Sequence, residues 1–218
     1  MKGHAVVIGM IFLLTALTGA EEIPGVFRHP LGPATEKTFN DVCSGLAKYP
    51  FVRGNFEQEK YMKKLDRSLK SSGNYIIAAD LGMVWDTVIP FKSTMVLGRD
   101  FIIQSRPGGQ KTVLNAGGNE TFLRMADVIS AVFSGNSHGL KENFEIYFSG
   151  NAASWELGLI PLDKMINVFA QKLNMKGGAV INFIEITEQS GDSIKYIMSN
   201  HSFPAGLSDS EKALFVLP

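Results

Sequence analysis

Gly135-Asn136-Ser137-His138-Gly139 has the spacing of a nucleophile elbow, in which a strained turn lifts a serine hydroxyl towards an acyl carbon. That chemistry needs a strand before the serine, a helix after it, and an acid and a histidine later in the chain. Here the motif is expected to follow a helix and precede a strand, the reverse order, and only His201 follows at a useful distance. The segment therefore reads as a polar loop. Asp163, directly after Pro161-Leu162, reads as a helix start rather than an acid catalyst. His4 and His29 fall near the N-terminus, and no histidine or cysteine cluster has metal-ligand spacing. No glycine-rich phosphate loop is present. Cys43 is the single cysteine, so no internal disulfide forms, and a buried thiol is expected. The reading is a protein that is not an enzyme, with no catalytic residue, no metal and no cofactor.

Charge narrows the partners. The chain carries 21 basic and 21 acidic residues. That balance leaves no electrostatic footprint for nucleic acid and predicts no polybasic patch for anionic lipid. At the N-terminus, Lys2 and His4 precede an apolar run from Ala5 to Leu17, followed by Thr18-Gly19-Ala20. This is the order of a secretory signal peptide, expected to be cleaved near Ala20, and the run is shorter than the roughly 20 apolar residues of a membrane span. The division expected is a signal peptide over 1–20, a loose Pro- and Gly-rich leader over 21–34, and one folded domain over 35–218.

The elements follow from periodicity. Phe39, Val42, Cys43 and Leu46 recur at helical spacing and predict a helix from Thr35 that Pro50 stops. From Val52 the period becomes two, with Val52, Gly54 and Phe56 on one side and polar residues between them. Strand patterns continue over 73–79, 83–87, 94–97, 101–105 and 110–115, separated by turn residues. A helix over 121–133 places Phe122, Met125, Ala126, Ile129 and Phe133 on one face. Strands return over 144–149 and 154–160, a short helix is expected over 162–172, and a hairpin follows over 179–188 and 193–200. Ser208 with Glu211 forms a capping box for a last helix. Successive strands joined by tight turns make an antiparallel meander that tends to curl.

The apolar alternation is the remaining functional signal. Tyr75, Ile77, Met83 and Trp85 are expected on one face, continued by Met95, Leu97, Phe101 and Ile103. Such a face is either an ordinary core packed on helices or a concave surface kept partly open for a ligand. Methionine suits the second because its flexible thioether adapts to varied shapes.

Val52-x-Gly54-x-Phe56-x-Gln58-x-Lys60 resembles the opening strand of the periplasmic lipoprotein carriers, the LolA-like proteins. Gly73 with Trp85 twelve residues on, Pro90, Leu159-Ile160-Pro161, and the hairpin through Ile184-Glu185-Ile186 to Gly191-Asp192 extend the resemblance from about residue 36 to 215. It implies an α+β fold, an incomplete antiparallel barrel covered by helices with an apolar cavity between. It implies a periplasmic, monomeric carrier that takes acyl chains of a lipoprotein or (glyco)lipid from an inner-membrane transporter to an outer-membrane acceptor. A lipid-sensing or docking module of the same fold is the alternative. The lining expected is Phe56, Tyr75, Ile77, Met83, Trp85, Met95, Leu97, Ile103, Met125, Ile129 and Phe133. The chain departs from the family at Ala79-Asp80, where Arg-Pro is usual and the arginine tethers a lid, and at Met83, where an aromatic residue is usual.

Overall fold

The computed structural model describes residues 24–109, 111–115 and 120–217, so the expected signal peptide lies outside it. Helix α1 (Pro33–Leu46) begins with Pro at its first turn, and the Thr35 hydroxyl accepts from the Gly32 amide at 3.2 Å. Phe39, Val42, Cys43 and Leu46 form its buried stripe, at the spacing that predicted it. Strands β1 (Phe51–Met62), β2 (Arg67–Ala78), β3 (Gly82–Ile89), β4 (Ser93–Leu97), β5 (Phe101–Ser105) and β6 (Thr112–Asn115) then form a meander. Helices α2 (Glu120–Ser134) and α3 (Ser137–Asn143) lead to β7 (Phe144–Asn151) and β8 (Ser154–Pro161). After α4 (Lys164–Phe169) come β9 (Lys172–Gly177), β10 (Ile181–Thr187) and β11 (Ser193–Ser202), and α5 (Asp209–Lys212) lies near the end.

These make one 11-stranded sheet in the order β6-β5-β4-β3-β2-β1-β11-β10-β9-β8-β7, with antiparallel neighbours throughout. The outermost strands β6 and β7 do not pair with each other, so the sheet is a half-barrel and not a closed one. This is the incomplete, helix-covered antiparallel barrel expected. On the inner face, Phe56, Tyr75, Phe148, Leu157, Leu159, Met175 and Met198 are buried against Phe39, Val42 and Leu46 of α1, Val128, Ala131 and Val132 of α2, Leu140 of α3 and Ile166 of α4. Each such side chain stabilises by about 1.5–3 kcal/mol on burial, which is why alternation at period two sets the strand faces.

Three local differences have physical causes. Residues 24–34, expected as a loose leader, are tied to the fold. Val26 is buried, Pro30 bridges Tyr147, and the Leu31 amide donates to the Ile146 carbonyl at 2.8 Å, extending the edge beside β7. The helix expected over 162–172 is present as the shorter α4, and an unexpected strand, β9, follows it, because Leu173 and Met175 sit side by side with Leu159 and Leu157 across the sheet. The segment expected as a loop around Ser137 is α3, capped where the Asn136 side chain accepts from the Gly139 amide at 3.0 Å.

A second apolar layer covers part of the outer face. Ala78, Val84, Val96, Phe101 and Ile103 pack beneath Leu207 and Phe215 of the C-terminal segment. Ser208 caps α5 by accepting from the Glu211 amide, and Glu211 reaches back to Arg53 at 2.5 Å.

Candidate functional site

Directly paired residues of an antiparallel sheet share a face, so the register places the inner surface residue by residue. Tyr75 pairs with Trp85 and Ile77 with Met83; Trp85 then pairs with Met95 and Met83 with Leu97. Phe56 lies on the same face, beside Gly73 of β2 and Met198 of β11. The expected alignment of these seven residues is therefore present. It fails one hairpin later. Leu97 pairs with Ile102 and Val96 with Ile103, so Ile102 continues the inner face while Ile103, with Phe101, belongs to the outer layer under Phe215. Leu97 and Ile102 pair across four intervening residues, an even number that inverts the parity, so continued odd numbering misplaces Ile103. Ile129 and Phe133 of α2 pack against the cluster of Met83, Leu97 and Ala126, as does Trp85. The side chain of Met125 lies outside the described residues.

The centre of the concave face is filled by aromatic rings. Phe56 stacks on Trp85 at 4.4 Å between centroids, Tyr75 stacks on Trp85 at 5.8 Å, and Tyr196 meets Trp85 edge-on at 5.2 Å. Only about 20 Å³ remains beside them, lined by Leu46, Val52, Tyr75, Ile77, Phe133 and Met198 among others. Beside this plug, α2 and strands β3 and β4 line an open cleft of about 250 Å³. Its floor is Ile77, Met83, Leu97 and Gly82, and its helical wall is Ala126, Ile129 and Phe133. Its mouth is polar, with Arg99, Asp127, Ser130 and Ser134. Arg99 is fixed there by donating from Nε to the Asp80 carbonyl at 2.7 Å. Ala79, at the position where the family carries its arginine, lines the same mouth. The contributions of Arg99, Asp127 and Ser130 were not read from sequence, since exposed polar residues on a turn and a helix carry no periodic signal.

Burial shows in the titratable groups around the inner face. Desolvation pushes the Tyr196 hydroxyl up to about 12 and the Cys43 thiol up to about 11, so neither ionises near neutrality. The Tyr75 hydroxyl is raised by the same cause and donates to His201 Nδ1 at 2.6 Å. His201 Nε2 in turn donates to Asn182 Oδ1 at 3.1 Å. Partial burial holds the imidazole below its ordinary value, in keeping with the neutral tautomer this pattern requires. Both nitrogens of His201 are thus engaged away from Ser137. Ser137 opens α3 in a helix cap, and its neighbour His138 contacts Glu142 at 3.1 Å on the surface. The motif that suggested an elbow has neither the strand-to-helix turn nor the histidine partner. What the arrangement can do is take an apolar group between α2 and β3–β4 while polar atoms stay at the rim.

No protein-family model matches the chain, and no curated protein sequence matches it. Solved structures do resemble it in shape. A LolA superfamily protein from Nitrosomonas europaea is similar with a TM-score of 0.45 and 10% identity, covering 79% of this chain and 96% of that one. An outer membrane lipoprotein-sorting protein domain from Vibrio parahaemolyticus gives 0.42 and 12%, covering 83% and 99%. LprF from Mycobacterium bovis gives 0.38 and 9%, covering 83% and 98%.

Proposed function

We propose that the protein is a periplasmic carrier which shelters acyl chains of a lipoprotein or (glyco)lipid during transfer between the inner and outer membranes. The observation that carries this reading is the cleft itself, whose apolar floor and wall meet a polar mouth. Burial of each methylene stabilises by about 0.8 kcal/mol, so a chain of a dozen or more methylenes gains enough from such a surface to leave water. At about 250 Å³ the volume lies just below the roughly 300–1,000 Å³ of ligand sites, which suits part of one acyl chain. A larger cargo requires α2 to swing away from β3 and β4 and the aromatic plug to rearrange. An inner-membrane transporter as donor and an outer-membrane acceptor complete the proposal, with the carrier working as a monomer.

Ile129→Trp fills the cleft from the helical side and tests this directly. The wild-type protein binds a fluorescent fatty acid, and the variant binds it at least about tenfold more weakly with an unchanged melting temperature, tenfold being about 1.4 kcal/mol. Native mass spectrometry of protein taken from its own periplasm shows bound lipid. A uniformly empty protein that also rejects fatty acids overturns the proposal.

A second reading draws on a different observation. The middle of the concave face is already occupied by Phe56, Tyr75 and Trp85, as expected of a lipid-sensing or docking module that carries nothing. Under that reading, Ile129→Trp leaves fatty-acid binding as weak as in the wild type.

A further inference from the structure

The hairpin joining β1 to β2 extends beyond β3 on one side and lies beside the β10–β11 turn on the other. The β2–β3 pairing ends at Ser72 with Ile89, so residues 67–71 leave the outer edge of β2 open. On the other side β1 stays paired with β11 as far as Tyr61 with Ser193. The tip closes through a 3-10 turn over Lys63–Leu65 and Asp66 in the left-handed region at φ 47°.

Its composition is unlike the rest of the chain. Between Lys60 and Lys70 stand five basic residues, Lys60, Lys63, Lys64, Arg67 and Lys70, against the one acid Asp66, in a protein whose total charge is zero. Lys60 is neutralised by Glu188 at 3.0 Å, and Asp192 of the neighbouring hairpin accepts from the Lys63 amide at 2.9 Å. Asp66 is held in the turn by the Tyr61 hydroxyl, which donates to it at 2.9 Å. Lys63, Lys64, Arg67 and Lys70 form no ion pair among the described residues and are exposed. Between them Leu65 and Leu69 are 63% and 59% exposed. Four exposed cations around two exposed leucines at the hairpin end combine the two attractions of an anionic bilayer: phosphate charge, and an apolar layer beneath it. A stripe of lysine alone would serve only to keep an open strand edge from pairing. Exposed leucine works against that purpose and calls for an apolar partner.

We infer that the β1–β2 hairpin tip docks on the surface of bilayers containing anionic phospholipid, with Lys63, Lys64, Arg67 and Lys70 at the headgroups and Leu65 and Leu69 entering the interface. This contact is separate from the cleft. It lies at the far end of the strands from Ala79, Gly82, Gly98 and Arg99, so a docked protein keeps the cleft mouth open to solvent.

Sedimentation with phosphatidylcholine vesicles, with and without phosphatidylglycerol, tests the inference on the full chain. The wild type binds the anionic vesicles at least about tenfold better, and high salt removes the difference. The triple variant Lys64→Glu, Arg67→Glu, Lys70→Glu loses the preference. Leu65→Ser with Leu69→Ser weakens binding at least about threefold while keeping the preference. A nitrobenzoxadiazole label on Leu65→Cys reports the site itself, because the buried Cys43 thiol does not compete for it, and its emission shifts to the blue on anionic vesicles. Equal binding to both vesicle types, binding to neither, or an unshifted label on bound protein overturns the inference. The Ile129→Trp variant docks as the wild type does, which keeps failure here distinct from failure of the carrier reading.

Discussion

Tyr75 reaches His201 across β1, its hydroxyl 2.6 Å from Nδ1, because Gly54 leaves the space through which the ring passes. A Cβ at position 54 would stand 2.6 Å from the Ser199 carbonyl oxygen and 2.7 Å from the Tyr75 hydroxyl. Three strands thus meet at one glycine. The register of β1 with β11 also shifts there, between Arg53 and Asn55, opposite the positive φ of Asn200.

Gly54→Ala is therefore expected to destabilise by about 1–3 kcal/mol, the ordinary cost of overpacking. Chemical denaturation reads this as a lower midpoint at constant slope. An unchanged midpoint would show that Tyr75 and Ser199 move aside freely.

The partial burial of His201 also gives stability a pH dependence of definite sign. Burial holds His201 below its ordinary value of 6.5, so the unfolded chain binds the proton more readily. The contribution is complete above about 6.5 and falls as pH drops from there through the folded-state value. Melting temperatures of wild type and His201→Gln between neutral and mildly acid pH should converge on acidification. Parallel curves would show that the imidazole titrates as freely as in the unfolded chain.

Two tryptophans offer a contrast. Trp155 Nε1 donates to the Gly178 carbonyl at 2.8 Å, whereas Trp85 Nε1 is buried with no partner among the described residues. Trp155→Phe removes a made bond and is expected to cost about 1–3 kcal/mol. At Trp85 the same change removes an unsatisfied donor along with ring area, and the net change should stay within about 1 kcal/mol. Equal losses at the two sites would refute the assignment of a partnerless indole to Trp85.

At the C-terminus, the hydrogen bond from Ser208 and the contact with Arg53 hold the Glu211 carboxyl below its ordinary range. A carboxyl lowered in the folded state stabilises above its unfolded value, 4.5, and that stabilisation is lost as pH falls through the folded value. Glu211→Gln should lower the melting temperature at neutral pH and leave it nearly unchanged in acid. It should also raise hydrogen exchange in Val96 and Ile103, which Leu207 and Phe215 cover. Exchange confined to α5 itself would mean that the cover does not depend on this ion pair.

Much of the architecture was legible from residue order. Period two in β1 and at 73–79, the helical stripe Phe39-Val42-Cys43-Leu46, the Ser208–Glu211 cap and the inner-face alignment of Tyr75, Ile77, Met83 and Trp85 are local patterns, and local sterics and burial enforce them. What depends on contacts far apart in the chain was decided by the tertiary structure alone. Ile103 faces outward because of how the β4–β5 turn pairs Leu97 with Ile102, and β9 exists because β8 and β10 lie on either side of it. The size of the cleft depends on where α2 stops against Met83 and Leu97, and alternation cannot specify a distance between layers. Total charge indicated no basic patch, yet Lys63, Lys64, Arg67 and Lys70 gather at one tip, because a balanced sum says nothing about where a hairpin brings its charges together.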